Sequence, residues 1–217
     1  VDANFNFPNP NNPFGGIPSF TDHEFISGID ITDHTPDIAD FIAIKNLNIV
    51  GLAADFDWGI HLTNGSDNDS IVNCTINLSA NTSTTLANSA GIVASGSSIS
   101  VSTVGNNASN LVVSGCTIIG GYTGIILYGN TGSLGAISNQ ILNNTVQDFY
   151  ADGIVLNNND GAIVRGNNVH RTNRVAVGVF TGIELGTANL NCLVDGNRVH
   201  DSHTSATTQS GTAYGIA

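Results

Sequence analysis

The chain has 217 residues and a net charge of −12, from 17 acids against 5 bases; 41% of its residues are hydrophobic and only 10% charged. So acidic a surface repels phosphate backbones, which makes nucleic acid a poor partner and disfavours an anionic membrane, and no run of ~18 apolar residues is present to span a bilayer. A single lysine, Lys45, with no methionine and abundant Gly, Asn, Ser and Thr argues against a helical protein; the low charge argues against disorder. What remains is one large domain of strands and tight turns, with a composition that suits an extracellular setting.

Residues 1–27 carry no periodic pattern. Asn9-Pro10-Asn11-Asn12-Pro13-Phe14-Gly15-Gly16 reads as a loop or linker. Phe5, Phe7, Phe14 and Phe20 either cap the N-terminal end of a core or belong to a connection from an upstream domain. The start at Val1 fits a removed signal peptide or a piece of a longer polypeptide.

From residue 28 onward a Gly-Ile pair recurs, with Ile29, Ile60, Ile92, Ile125, Ile154, Ile183 and Ile216 at spacings of 31, 32, 33, 29, 29 and 33. A six-residue block lies between successive pairs. It begins at Ile44, Ile71, Val113, Ile141, Val164 and Val194. Its first and sixth positions are always Ile or Val. Its third is always Asn or Gly, the residues that adopt positive φ at least cost, so each block carries a turn there. A turn inside a short apolar segment resets the alternation, and the first, fourth and sixth side chains can then all point inward.

Blocks this short and β-branched do not make helices. Identical strands at a fixed period favour stacking each strand on its own copy in parallel. At ~4.8 Å per strand, about seven coils over residues 28–217 make a rod about 30–35 Å long. Tyr214-Gly215-Ile216-Ala217 falls inside a strand, so more chain is expected to follow. Open coil ends favour end-to-end or multidomain packing.

The pattern of an apolar residue, any residue, Asn or Gly, Asn or Cys, any residue and an apolar residue, followed by Gly-Ile, resembles the repeats of the pectin-lyase-like superfamily. Val113 to Leu127 and Ile141 to Leu156 match best. The resemblance implies an all-β, single-stranded right-handed parallel β-helix. That superfamily includes polysaccharide lyases, glycoside hydrolases, phage tailspikes and large bacterial surface proteins. The chain lacks a polygalacturonase-like Asp-Asp pair with Gly-His-Gly and a pectate-lyase-like Arg context, so no site residue is carried over. Leucine-rich repeats would need denser leucine, and calcium-binding β-rolls need a glycine-rich nonapeptide that is absent.

The fourth block position reads Leu47, Cys74, Cys116, Asn144, Asn167, Asn197. The three asparagines are expected to form a hydrogen-bonded ladder, the alternative being a polar channel. Cys74 and Cys116 fall in adjacent coils, either as a disulfide or as stacked thiols. Cys192 falls in another inward column, beside Ala162, as a free thiol.

Functional candidates lie where the repeat makes no demand. The two positions after each block place Gln147, His170 and His200 beside Asp148, Arg171 and Asp201, with Arg174, His203 and Asp152 nearby. A polysaccharide lyase would use His170 or His200 as the base and Arg171 to neutralise the uronate carboxylate. A hydrolase would use Asp148 and Asp201, two coils or ~9.6 Å apart. The same residues also read as an alternating charge stack that relieves repulsion along a column. Near the N-terminal end, Trp58 and His61 stand beside Asp55 and Asp57, and Trp58 is either a sugar platform or packed under a loop. Asp30/Asp33/Asp37 and Asp67/Asp69 read as solvated loops or weak Ca²⁺ ligands, and no cofactor or metal signature is present. Val93, Ile126 and Val155, outward in the Gly-Ile strands, are covered by a loop or face a partner. Sequons such as Asn64-Gly65-Ser66 are as frequent as this composition predicts by chance.

Two functions stay open. One is a non-enzymatic module of a secreted or cell-surface protein, a rigid stalk, adhesin or glycan-binding surface. The other is a polysaccharide lyase or glycoside hydrolase.

Overall fold

A computed structural model describes residues 29–32, 41–51, 57–131, 136–207 and 211–217. The capping segment expected over residues 1–27, and Asp33, Asp37 and Asp55, lie outside the described residues.

The described chain is an all-β parallel solenoid. The isoleucine of every Gly-Ile pair lies in one seven-stranded sheet: Ile29–Thr32, Asp57–Thr63, Ser89–Ala94, Thr123–Tyr128, Asp152–Asn157, Phe180–Leu185 and Ala213–Ile216. Each block is split by its turn between two further sheets. Its first half forms Ala43–Lys45, Ser70–Val72, Val112–Ser114, Gln140–Leu142, Ile163–Arg165 and Leu193–Asp195; its second half forms Asn48–Val50, Thr75–Leu78, Thr117–Gly120, Thr145–Gln147, Asn168–His170 and Arg198–His200. The described residues therefore make about six complete turns, not seven, because the seventh Gly-Ile strand, Ala213–Ile216, is the last element described. A coil below means one strand from each sheet, coil 1 starting at Ile29.

The register follows the sequence columns. Ile44, Ile71, Val113, Ile141, Val164 and Val194 are consecutive partners in one sheet. The third block position has positive φ throughout: Asn46, Asn73 and Asn143 at 52–56°, Gly115, Gly166 and Gly196 at 62–68°. That left-handed residue folds each block over, so the first, fourth and sixth side chains pack together in the core. The glycine of the Gly-Ile pair has a different cause. A methyl on Gly124 would sit 2.2 Å from Val146 Cγ1 and 2.6 Å from Gly153 O, so two sheets and the next coil converge there.

The asparagine ladder forms. Asn167 Oδ1 accepts from the Asn144 backbone N–H (2.9 Å) and from Asn144 Nδ2 (3.0 Å), while Asn167 Nδ2 donates to Ile141 O and Asn197 Oδ1 (both 2.9 Å). Each buried amide thus has its partner in the neighbouring coil, as burial requires. Cys116 accepts the Cys74 N–H at 3.4 Å, and both are stacked free thiols; Cys192 is also free and half-buried. A second ladder, absent from the sequence reading, joins Asn139, Asn159 and Asn189: Asn139 Nδ2 donates to Asn159 Oδ1 and the Asn159 N–H to Asn189 Oδ1, each at 3.0 Å. Asp67 and Asp69 act similarly, Asp67 Oδ1 accepting the Ser109 N–H and Asp69 Oδ1 the Ile42 N–H.

Candidate functional site

The second half of each block, followed by the corner into the next Gly-Ile strand, positions the predicted polar cluster. Gln147, His170 and His200 are consecutive register partners on the outer face of their sheet. The two imidazoles stack with centroids 4.9 Å apart and planes at 19°. His170 Nδ1 lies 2.9 Å from Thr172 Oγ1, and burial together with neighbouring His200 lowers the His170 pKa below its ordinary value. His200 Nδ1 lies 2.7 Å from Asp201 Oδ2, and its Nε2 2.9 Å from Asn168 Oδ1.

Arg171 does not join this row. Its side chain is fully enclosed, at 0% exposure. Nε donates to Ser202 O (2.7 Å), Nη1 to Tyr150 O, and Nη2 to Gly178 O (3.2 Å) with His203 Nε2 at 3.3 Å; the guanidinium lies 5.2 Å from the Phe180 ring centroid. Burial brings its pKa down to about 10, so it stays cationic. The reason is alternation. The sixth block position points in and the seventh out, so the eighth points in again, and Leu78 and Gly120 occupy that position as buried residues. Arg171 therefore clamps backbone carbonyls of successive coils rather than facing a substrate carboxylate.

Asp148 occupies the same column with φ of 57°. It turns toward the following loop, where Oδ1 accepts the Asn173 N–H (2.7 Å) and Oδ2 accepts Asn173 Nδ2 (3.0 Å). Asp201, in the last complete coil, is exposed. The charge stack expected through Asp148, Arg171 and Asp201 is replaced by these separate contacts. Arg165 and Asp195 do pair, at 3.0 Å on the exposed face.

Trp58 is buried at 7% exposure and is no open platform. Its Nε1 donates to Ala87 O (2.9 Å) in the short 3₁₀ turn Leu86–Asn88, and its ring meets His61 edge-on at 5.0 Å. His61 is also buried, with Nε2 3.1 Å from Ser95 O. Trp58 packs in a second apolar cluster with Ala90, Val93, Val101, Ile126 and Val155. Val101 comes from the loop over residues 95–109, which covers the outward apolar positions.

Two features of this region are new. Arg198, exposed two residues before His200, adds a cation to the face that carries the histidine row. A cleft of about 360 Å³ opens beside Asp148, between residues 79–82 and 173–176. The lengths of both loops are legible in the sequence; their meeting is not, because they belong to coils 2 and 5.

Searches against protein-family models, curated proteins and solved structures return no match to this chain.

Proposed function

We propose that the chain is a non-catalytic, rigid β-solenoid module of a secreted or cell-surface protein, a stalk that presents a glycan-binding surface and packs end to end with a neighbouring domain. The observation that carries this reading is the enclosure of Arg171. The cation best placed by sequence to neutralise an anionic transition state instead holds three backbone carbonyls inside the rod. Asp148, one half of the carboxylate pair, is similarly engaged by Asn173. The repeat pattern and the asparagine ladder support a place in the pectin-lyase-like superfamily, where the same scaffold serves enzymes and structural proteins alike. The composition supports the extracellular setting.

One observation favours a second reading, a polysaccharide lyase. His170 keeps a neutral imidazole near neutral pH and shares an open sheet face with Arg198. A panel of acidic and neutral polysaccharides, followed for unsaturated products and new reducing ends, separates the two. The stalk reading expects no turnover above blank. Turnover that disappears in His170→Ala or Arg198→Gln would overturn it.

A further inference from the structure

The corners from the third sheet into the Gly-Ile sheet are unequal. After coils 3 and 4 the chain crosses in residues 121–122 and 148–151; after coils 2 and 5 it takes residues 79–88 and 171–179. Two long loops therefore flank two short corners and leave a notch between them. The coils stack closely at this corner: a methyl on Gly120, where φ is 82°, would sit 2.7 Å from the Ser79 backbone N. Arg174 bridges the notch, donating from Nη1 to Gly121 O (3.1 Å) and Asp148 O (3.3 Å) and from Nε to Ala176 O (3.0 Å), with its guanidinium 5.4 Å from the Tyr150 ring centroid.

The polar groups of this notch do not balance among themselves. Asn81, 1% exposed, lines the cleft; its Oδ1 accepts the Ser83 N–H at 2.9 Å, yet its Nδ2 has no acceptor among the described residues. A buried donor without a partner is costly, and native structures rarely keep one without a reason. Arg174, half-buried, uses Nε and Nη1 for its hydrogen bonds to the described residues and leaves Nη2 open to solvent at the cleft. Opposite them, each Asp148 oxygen accepts one hydrogen bond from Asn173 and retains a free lone pair. Val175 and Ala176 supply an apolar wall, and Ser79 and Thr82 supply hydroxyls at the rim.

We propose that this notch binds one neutral pyranose unit of a glycan. Unmatched donors, spare acceptor sites and an apolar wall within about 360 Å³ match a ring with an apolar face and a rim of hydroxyls that both donate and accept. A carboxylated sugar fits worse, because it would meet Asp148 and the −12 charge of the chain. The inference deepens the glycan-binding reading above and rests on it.

The test titrates methyl glucoside, methyl mannoside, methyl galactoside and N-acetylglucosamine, with galacturonate as the charged comparison, into the full ¹⁵N-labelled chain. At least one neutral probe is expected to shift the amides of residues 79–82 and 173–176. Val175→Trp, which fills the mouth from an exposed position, and Arg174→Gln should each weaken that binding about tenfold or more, a loss of ~1.4 kcal/mol, with Val175→Trp melting like the wild type. Silence of those amides to every neutral probe, galacturonate binding more tightly than all of them, or undiminished binding by Val175→Trp would overturn the proposal. Incubation with disaccharides of the same sugars keeps the two readings apart: cleavage would sink the non-catalytic reading and leave the notch standing, whereas silent amides without cleavage would do the reverse.

Discussion

Replacing Asn167 by alanine should be among the most damaging single changes in the rod. Its side chain makes four hydrogen bonds, two accepted from Asn144 and two donated to Ile141 O and Asn197 Oδ1, all between 2.9 and 3.0 Å. Its exposure is 1%, so no water replaces them. At ~1 kcal/mol net per bond the loss is about 4 kcal/mol. In a domain of this size that corresponds to a fall in Tm of roughly 8–16 °C. Asn168→Ala is the control: the neighbouring residue points outward, half-buried, and its side chain meets His200 Nε2 at 2.9 Å. That change should cost under about 1 kcal/mol. Thermal and urea unfolding followed by far-UV circular dichroism measure both. Equal, small effects would refute the ladder as a source of stability and register.

Arg171→Ala should destabilise by about 3 kcal/mol or more, since hydrogen bonds to charged groups are each worth ~1.5–3 kcal/mol; a catalytic Arg171 would leave the urea midpoint unchanged. Gly124→Ala should cost at least ~1–3 kcal/mol through the clash with Val146 and Gly153 O, and Val146→Ala in the same chain should restore only part, because the carbonyl contact remains. Asp57, 3% exposed and without a hydrogen-bond partner among the described residues, has its pKa raised by burial from 3.8 to about 6. A folded pKa above the unfolded one means the stabilising contribution is complete below pH ~4 and disappears as pH rises through about 6, by up to ~2–3 kcal/mol. Asp57→Asn should therefore raise stability at pH 7 and flatten the dependence between pH 4 and 7; an unchanged profile would contradict this. Cys116, buried and with its pKa raised to about 11, should resist thiol reagents until the chain unfolds, and dithiothreitol should leave Tm unchanged.

Where the backbone repeats, the sequence could be read almost residue by residue. The block columns predicted the strand register, the positive-φ position and the Asn144–Asn167–Asn197 ladder, because each coil reuses one local geometry. The coil count missed by one, since a Gly-Ile strand alone does not close a turn. The second ladder escaped because its members lie at unequal distances from the blocks: Asn139 two residues before Ile141, Asn159 five before Val164, Asn189 five before Val194. Arg171 was misplaced for a simpler reason. Its column also holds Leu78 and Gly120, and strict alternation after the inward sixth position would have turned it toward the core. Trp58 and His61 were candidates by residue type, but their burial depends on the turn at Leu86–Asn88 and on the loop after Ala94, which no local pattern announces. The Asn81–Arg174 notch joins loops from coils 2 and 5, and only the stacked register brings them together.

The stacking of sequence columns coil upon coil is tested most directly by methyl nuclear Overhauser contacts in a chain labelled at Ile, Leu and Val. Strands ~4.8 Å apart predict cross-peaks for Ile71–Val113, Val113–Ile141, Ile141–Val164 and Val164–Val194, with none of comparable strength between residues two coils apart, such as Ile71–Ile141. Strong contacts that skip a coil, or that pair a block with the reversed order of its neighbour, would contradict the parallel solenoid and every site placed on it.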